Sequence, residues 1–272
     1  MTSITLAMDT RGLFRIRRSL TSSLCFVLRG VTVWLLFASF NRGSTCLADS
    51  STSQIITVVT SDWADSRGEL NAFEFSGNRW ERALSAIPVM VGKKGMGWGL
   101  GLFPDGLEGP KKIEGDRRAP AGVFEIESAF GSKKSRKLRL PYRQTTPLDF
   151  WVDDSESKFY NQWVQTQGEA GQSDWRSAEA LLRKDGLYEL AIVVAHNRLP
   201  AIPKRGSAIF MHRWFGPGIA TIGCTAMATN HLEALVDWLD ASKSPLLVQL
   251  PITEIEKVSV PAAVRALLRA SD

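Results

Sequence analysis

Histidine and cysteine are scarce in this 272-residue chain, with three of each. No HExxH or CxxC pair is present, so no short ligand spacing argues for a metal site. The glycine-dense stretch VMVGKKGMGWGLG (89–101) has neither the dinucleotide nor the P-loop spacing, and it is read as tight turns beside a packed Trp98. The acidic stretch WVDDSESKFYNQWV (151–164) lacks calcium-loop spacing. Internal repeats are absent, and so is a regular alternation of strands and helices. A solenoid and a doubly wound parallel sheet are therefore both excluded. No apolar run is long enough to span a bilayer: the longest clean stretch is VTVWLLFASF (31–40).

Positive charge is also missing where a nucleic-acid binder would need it. The net charge is +5, but residues 1–48 hold six arginines (11, 15, 17, 18, 29 and 42) against the single acid Asp9. The remainder is neutral, so the basic balance belongs to the leader and no nucleic-acid partner is expected. Arginines 11–18, the short apolar stretch and the small residues up to Ala48 follow the order of an export signal. Residues 1–48 are read as a signal peptide or N-terminal membrane anchor. Residues 49–54 are read as a linker, 55–255 as one domain and 256–272 as a helical tail. An exported chain is expected in the periplasm or cell envelope.

Cleavage would remove Cys25 and Cys46 and leave Cys224 alone. A lone thiol makes no internal disulfide, so it is either a small buried hydrophobe or a nucleophile. The rest of the pattern is mainly β with a few helices, an α+β class. IITVVTS (55–61), GLYELAIVVAH (186–196), SAIFMH (207–212) and PLLVQLP (245–251) read as strands. NAFEFSGNRWERA (71–83) reads as a hairpin turning at Gly77-Asn78. GDRRAPAGVFEIESAFG (115–131) is a loop followed by a strand, and SKKSRKLRLPYR (132–143) a solvated basic loop. DWRSAEALLRKD (174–185) has helical spacing, with Asp174 as cap. ATNHLEALVDWLDA (228–241) places Leu232, Leu235, Val236 and Leu239 at i, i+3, i+4 and i+7, behind Thr229 or Asn230 as cap. PAAVRALLRASD (261–272) is a terminal helix with Pro261 in its first turn.

HRWFGPGIATIGCTAM (212–227) puts a strand-end histidine before a glycine-flanked cysteine. An imidazole can take the proton of a thiol whose free pKa is about 8.5. Gly223 leaves room for a carbonyl and frees backbone N–H groups for an oxyanion. The spacing alone is not specific. The segment resembles the catalytic motif of the L,D-transpeptidase (YkuD/ErfK-type) family: a histidine, a glycine-containing loop, then Ser/Thr, His, Gly, Cys, a hydrophobic residue, and Asn or Arg. The matching positions are His212, Thr221, Gly223 and Cys224. Upstream, GDRRAPAGVFEI is similar to the family's Gly-Asp-x-x-Thr-Pro-x-Gly-x-Phe stretch at Asp116, Pro120, Gly122 and Phe124, and GSAIFMH to its strand into the histidine. The likeness spans roughly 89–250. Two positions depart from it: Ile222 stands where a histidine is common, and Ala226 where Asn or Arg is usual.

The resemblance implies β-sandwich or mixed sheets with a helix after the cysteine loop, and peptidoglycan stem peptides as substrate. It implies Cys224 as nucleophile, His212 as base and then acid, and the Gly223 and Cys224 amides as oxyanion donors. It implies no metal or organic cofactor, and a monomer is expected. Thr221, Thr225 and His196 form the expected substrate side. Thr225 would offset the lost polar groups, and His196 either lines the cleft or is a packing residue. A zinc site from His196, His212 and Cys224 is weighed and set aside. His231 is read as exposed. Tyr142, Asn161, Trp175, Arg176 and Glu179 are expected to shape groove or structure. The alternatives are an L,D-carboxypeptidase-type hydrolase on the same site and a non-catalytic wall-binding domain.

Overall fold

The computed structural model describes residues 52–103, 105–134, 137–167, 174–198 and 200–270. The leader of residues 1–48 and the first half of the expected linker, 49–51, lie outside them. No described helix is long and apolar enough to cross a membrane.

Strands dominate, as the β-branched and alternating runs predict. In chain order they are β1 (Gln54–Thr60), β2 (Arg67–Ser76), β3 (Arg79–Met90), β4 (Met96–Trp98), β5 (Ala119–Gly131), β6 (Tyr142–Gln144), β7 (Asp149–Val152), β8 (Trp163–Gln165), β9 (Ala178–Ala180), β10 (Ala191–Val194), β11 (Phe210–Arg213), β12 (Thr225–Met227) and β13 (Leu246–Pro251). The helices are α1 (Thr229–Trp238) and α2 (Ala262–Arg269). The first strand begins at Gln54, inside the expected linker.

One mixed sheet runs β10-β11-β12-β3-β2-β1-β13-β5-β4. It closes on itself because β5 is long enough to serve two partners. Gly122–Glu125 pair with β13, and Ile126–Phe130 pair with β10. Closure leaves the central strands without free edges. The β2–β3 hairpin turns at Gly77 and Asn78, with φ of 54° and 65°. Both are left-handed, as a two-residue hairpin loop with the strand twist requires. Helix α1 buries Leu232, Leu235 and Val236 in the main core. Each such side chain contributes about 1.5–3 kcal/mol. The residue before α1 is the extended Ala228, which has no side chain to cap it, so neither Thr229 nor Asn230 plays that part.

A second, three-stranded sheet, β8-β7-β9, fills the excursion between β6 and β10. Here the helix expected over 174–185 does not form. Ala178–Ala180 pair with β7, and turns follow. Asp174 accepts from Ser157 Oγ at 2.8 Å instead of capping a helix. Leu181 drops into a second cluster with Phe130, Trp151, Leu187, Tyr188 and Phe210. Those long-range contacts outweigh local helix propensity.

Candidate active site

The parallel pairing of β11 with β12 sets His212 beside Ala226 and Met211 beside Thr225. Cys224 immediately precedes β12, and its side chain joins the cluster of Phe210 and Tyr188, the ring that also meets the His212 imidazole. Cys224 and His212 line a cleft of about 550 Å³, together with Glu179, Arg183, Tyr188 and Ser207. Cys224 lies on the cleft floor against the aromatic cluster, 7% exposed. Its sulfur accepts from the Phe210 N–H at 3.4 Å, and the thiol donates to the Ala208 carbonyl at 3.5 Å.

His212 Nδ1 lies 2.7 Å from the Arg213 carbonyl. A carbonyl only accepts, so Nδ1 carries the proton and Nε2 is left as the base. Arg213 is itself tied down: its Nε donates to the Gly186 carbonyl at 2.7 Å and its Nη2 to that of Asp185 at 2.6 Å. Burial pushes the His212 pKa down to about 4 and the Cys224 thiol up to about 12. The nearby Glu179 carboxylate adds to the rise at sulfur. The resting pair is therefore a neutral thiol and a neutral imidazole.

The loop before Cys224 is closed by one side chain. Thr221 Oγ1 donates to the Cys224 carbonyl at 2.6 Å and accepts from the Gly223 N–H at 3.1 Å. This corrects the reading of Gly223 as an oxyanion donor, because its amide is already used. The Cys224 N–H has no acceptor among the described residues. Gly223 has a φ of 156°, outside the range that side chains favour.

Two expected substrate-side residues are elsewhere. His196 does not line the cleft: it is 1% exposed, accepts from the Leu100 N–H at Nδ1 (3.2 Å) and donates from Nε2 to the Arg205 carbonyl (3.0 Å). Both ring nitrogens are engaged by backbone, so it is no partner of His212 and Cys224 around a metal. Thr225 is buried and donates to Gln249 Oε1 at 2.5 Å, while Gln249 Nε2 donates to the Pro120 carbonyl at 2.8 Å. It therefore links the cysteine strand to the Pro120–Gly122–Phe124 motif and does not face substrate. Asp116 closes its own loop, accepting from Lys112 Nζ, the Ile113 N–H and the Arg118 N–H. Of the two departures from the motif, Ile222 stands 76% exposed at the cleft rim, and Ala226 forms part of the cleft wall.

Residues 73–254 match the L,D-transpeptidase catalytic domain (YkuD), about two-thirds of the chain. The chain belongs to this family. No curated protein matches it. One solved structure, the helical cell shape determining protein Pgp2 from Campylobacter jejuni, is similar over 73% of this chain and 48% of its own. Its identity is 16% and the TM-score 0.34, a likeness too loose to carry an argument. The chain spans about half the length of that protein.

Within the family frame, Tyr188 and Arg183 are the cleft residues that the sequence did not single out, and Glu179 had no role. Glu179 and Arg183 sit in the stretch 174–185, whose spacing reads as helix, and Tyr188 sits at the start of the stretch 186–196 read as a strand. Asn161 is a structural hub: its Nδ2 donates to the His196 and Asn197 carbonyls, and its Oδ1 accepts from Trp151 Nε1. Arg176 pairs with Asp154, so this part of the acidic stretch is an ion pair.

Proposed function

We propose that the chain is an exported cysteine acyltransferase of the cell envelope that acts on peptidoglycan stem peptides. The observation that carries this reading is that Cys224, just before β12, and His212, on the paired strand β11, line one cleft, with the imidazole tautomer set by the Arg213 carbonyl. The membership of the chain in the L,D-transpeptidase catalytic domain family supplies the substrate class.

Cys224 Sγ attacks the acyl carbon of an L,D-peptide bond while His212 Nε2 takes the thiol proton. The Cys224 N–H donates to the oxygen that becomes negative. His212 returns the proton to the departing D-amino acid nitrogen as the C–N bond breaks, leaving a thioester. An acceptor amine then attacks the thioester, His212 takes the amine proton, and the thiol is restored. Starting from a neutral pair means that the proton moves with the attack, and no thiolate needs to be stored in a buried site.

Intact-mass spectrometry with a carbapenem-type acyl donor tests the reading. The expected result is one stoichiometric adduct on the wild type and none on Cys224→Ser. Absence of an adduct from both would overturn it. Product analysis with and without an amine acceptor separates crosslinking from hydrolysis.

A further inference from the structure

The reaction scheme leaves one group of cleft side chains unused. Glu179, in the middle of β9, accepts from the Tyr188 hydroxyl at 2.8 Å and from Arg183 Nη1 at 2.8 Å, both on Oε1. Arg183 also holds the Asp185 carboxylate, Nη2 to Oδ2 at 2.6 Å, and its guanidinium lies 5.2 Å over the Tyr188 ring. The carbonyls of Asp185 and Gly186 bind the Arg213 side chain, and the Arg213 carbonyl binds His212 Nδ1. Tyr188 meets the imidazole edge-on, with centroids 5.3 Å apart and planes at 72°. The contacts form a closed circuit. The imidazole is gripped at Nδ1 by one arm and braced by Tyr188 on the other, and the two arms meet at Arg183.

We propose that Glu179 and Arg183 are positioning residues that hold Tyr188 against His212, so that Nε2 stays directed at the Cys224 sulfur. The proposal rests on the acyltransferase reading. A single hydrogen bond fixes which nitrogen is protonated, but the terminal torsion of histidine is broad, so the ring plane needs a second contact. The Glu179 and Arg183 side chains are 19% and 31% exposed. Partly buried ion pairs add little net stability over apolar residues of the same shape, so stability alone does not account for one beside the reacting pair. The other charged groups that face these residues are Asp153 toward Glu179, Asp185 and Arg213 toward His212, and Lys112 toward Cys224.

The experiment follows alkylation of the Cys224 peptide by iodoacetamide from pH 5 to 10, on the full chain, with unfolding midpoints as a control. The variants are Tyr188→Phe, Glu179→Ala, Glu179→Gln and His212→Ala. Misplacement of the base should slow alkylation at pH 7 in Tyr188→Phe and Glu179→Ala by about ten- to a hundredfold. The profile should then approach that of His212→Ala, rising only with hydroxide. Glu179→Gln keeps an acceptor for the Tyr188 hydroxyl and should stay within about threefold of wild type. Wild-type profiles for Tyr188→Phe and Glu179→Ala, beside a slowed His212→Ala, overturn this inference and leave the acyltransferase reading standing. A His212→Ala profile equal to wild type overturns both.

Discussion

The hydroxyl of Thr221 donates to the carbonyl oxygen of Cys224 and accepts from the amide between them, so a single side chain closes the nucleophile loop. Thr221→Val keeps the shape and removes both hydrogen bonds. It should cost about 1–2 kcal/mol, since each bond contributes about 1 kcal/mol net. Thr221→Ser should recover most of it. Thermal unfolding reads the cost. Turnover of Thr221→Val should fall while that of Thr221→Ser holds, and equal turnover for the two would contradict a role in aligning Cys224.

Activity should persist into acid. The free-enzyme base, His212, sits at about 4 where an ordinary imidazole lies near 6.5. The acid limb of kcat/KM is therefore expected near pH 4, and a limb at 6.5 would place His212 in a far wetter setting. At high pH the Cys224 thiol, at about 12, should give no plateau in alkylation near pH 9.

Stability should fall with pH over a related window. His196, at about 3, and His212, at about 4, are both depressed by burial. A depressed base binds fewer protons in the fold than in the unfolded chain, so its contribution is complete above about pH 6.5. That contribution is lost as pH drops toward 4 for His212 and 3 for His196. Glu179, whose carboxyl burial pushes up, works in the opposite sense. The net expectation near pH 5 is uptake of about one to two protons on unfolding. Tm measured against pH should decline from 7 to 4, and a flat curve would contradict the burial of both rings.

His196→Leu should damage the fold and spare the chemistry. It removes the partners of the Leu100 N–H and the Arg205 carbonyl, at about 1–3 kcal/mol for each buried group left unpaired. Tm should drop by several degrees while kcat per folded molecule at 20 °C stays within about twofold. A selective loss of kcat would return His196 to the cleft.

Gly122→Ala is expected to be severe. A Cβ there would run into the Phe103 ring, at a φ of 142°. Overpacking and backbone strain each contribute about 1–3 kcal/mol. Gly122→Ala combined with Phe103→Ala removes the clash but keeps the strain, so it should show a sub-additive loss in denaturant unfolding. Full additivity would mean that the ring moves aside freely.

Much of this arrangement is legible in the chain. The hairpin at Gly77-Asn78, the leucine stripe of α1 and the strand into His212 follow from periodicity and turn chemistry within a dozen residues. Cys224, His212 and Thr221 follow from a motif of fixed order. What the sequence hides depends on partners far away along it. Thr225 reads as a free hydroxyl until Gln249 is found opposite it, 24 residues on. His196 reads as either a cleft or a packing residue until Leu100, 96 residues earlier, is seen to occupy its ring. The stretch 174–185 reads as helix because Ala, Leu and Arg favour one, and only β7 and the aromatic cluster draw it into an extended course.

The excursion that carries Glu179, Arg183 and Tyr188 leaves the closed sheet at β6 and returns at β10, and both strands bond the same end of β5. Its two anchor points are thus side by side, on a strand held by neighbours other than the excursion. Exchanging or resizing this segment would therefore change how the base is braced and what the mouth of the cleft admits, while leaving the sulfur and the strand after it in place.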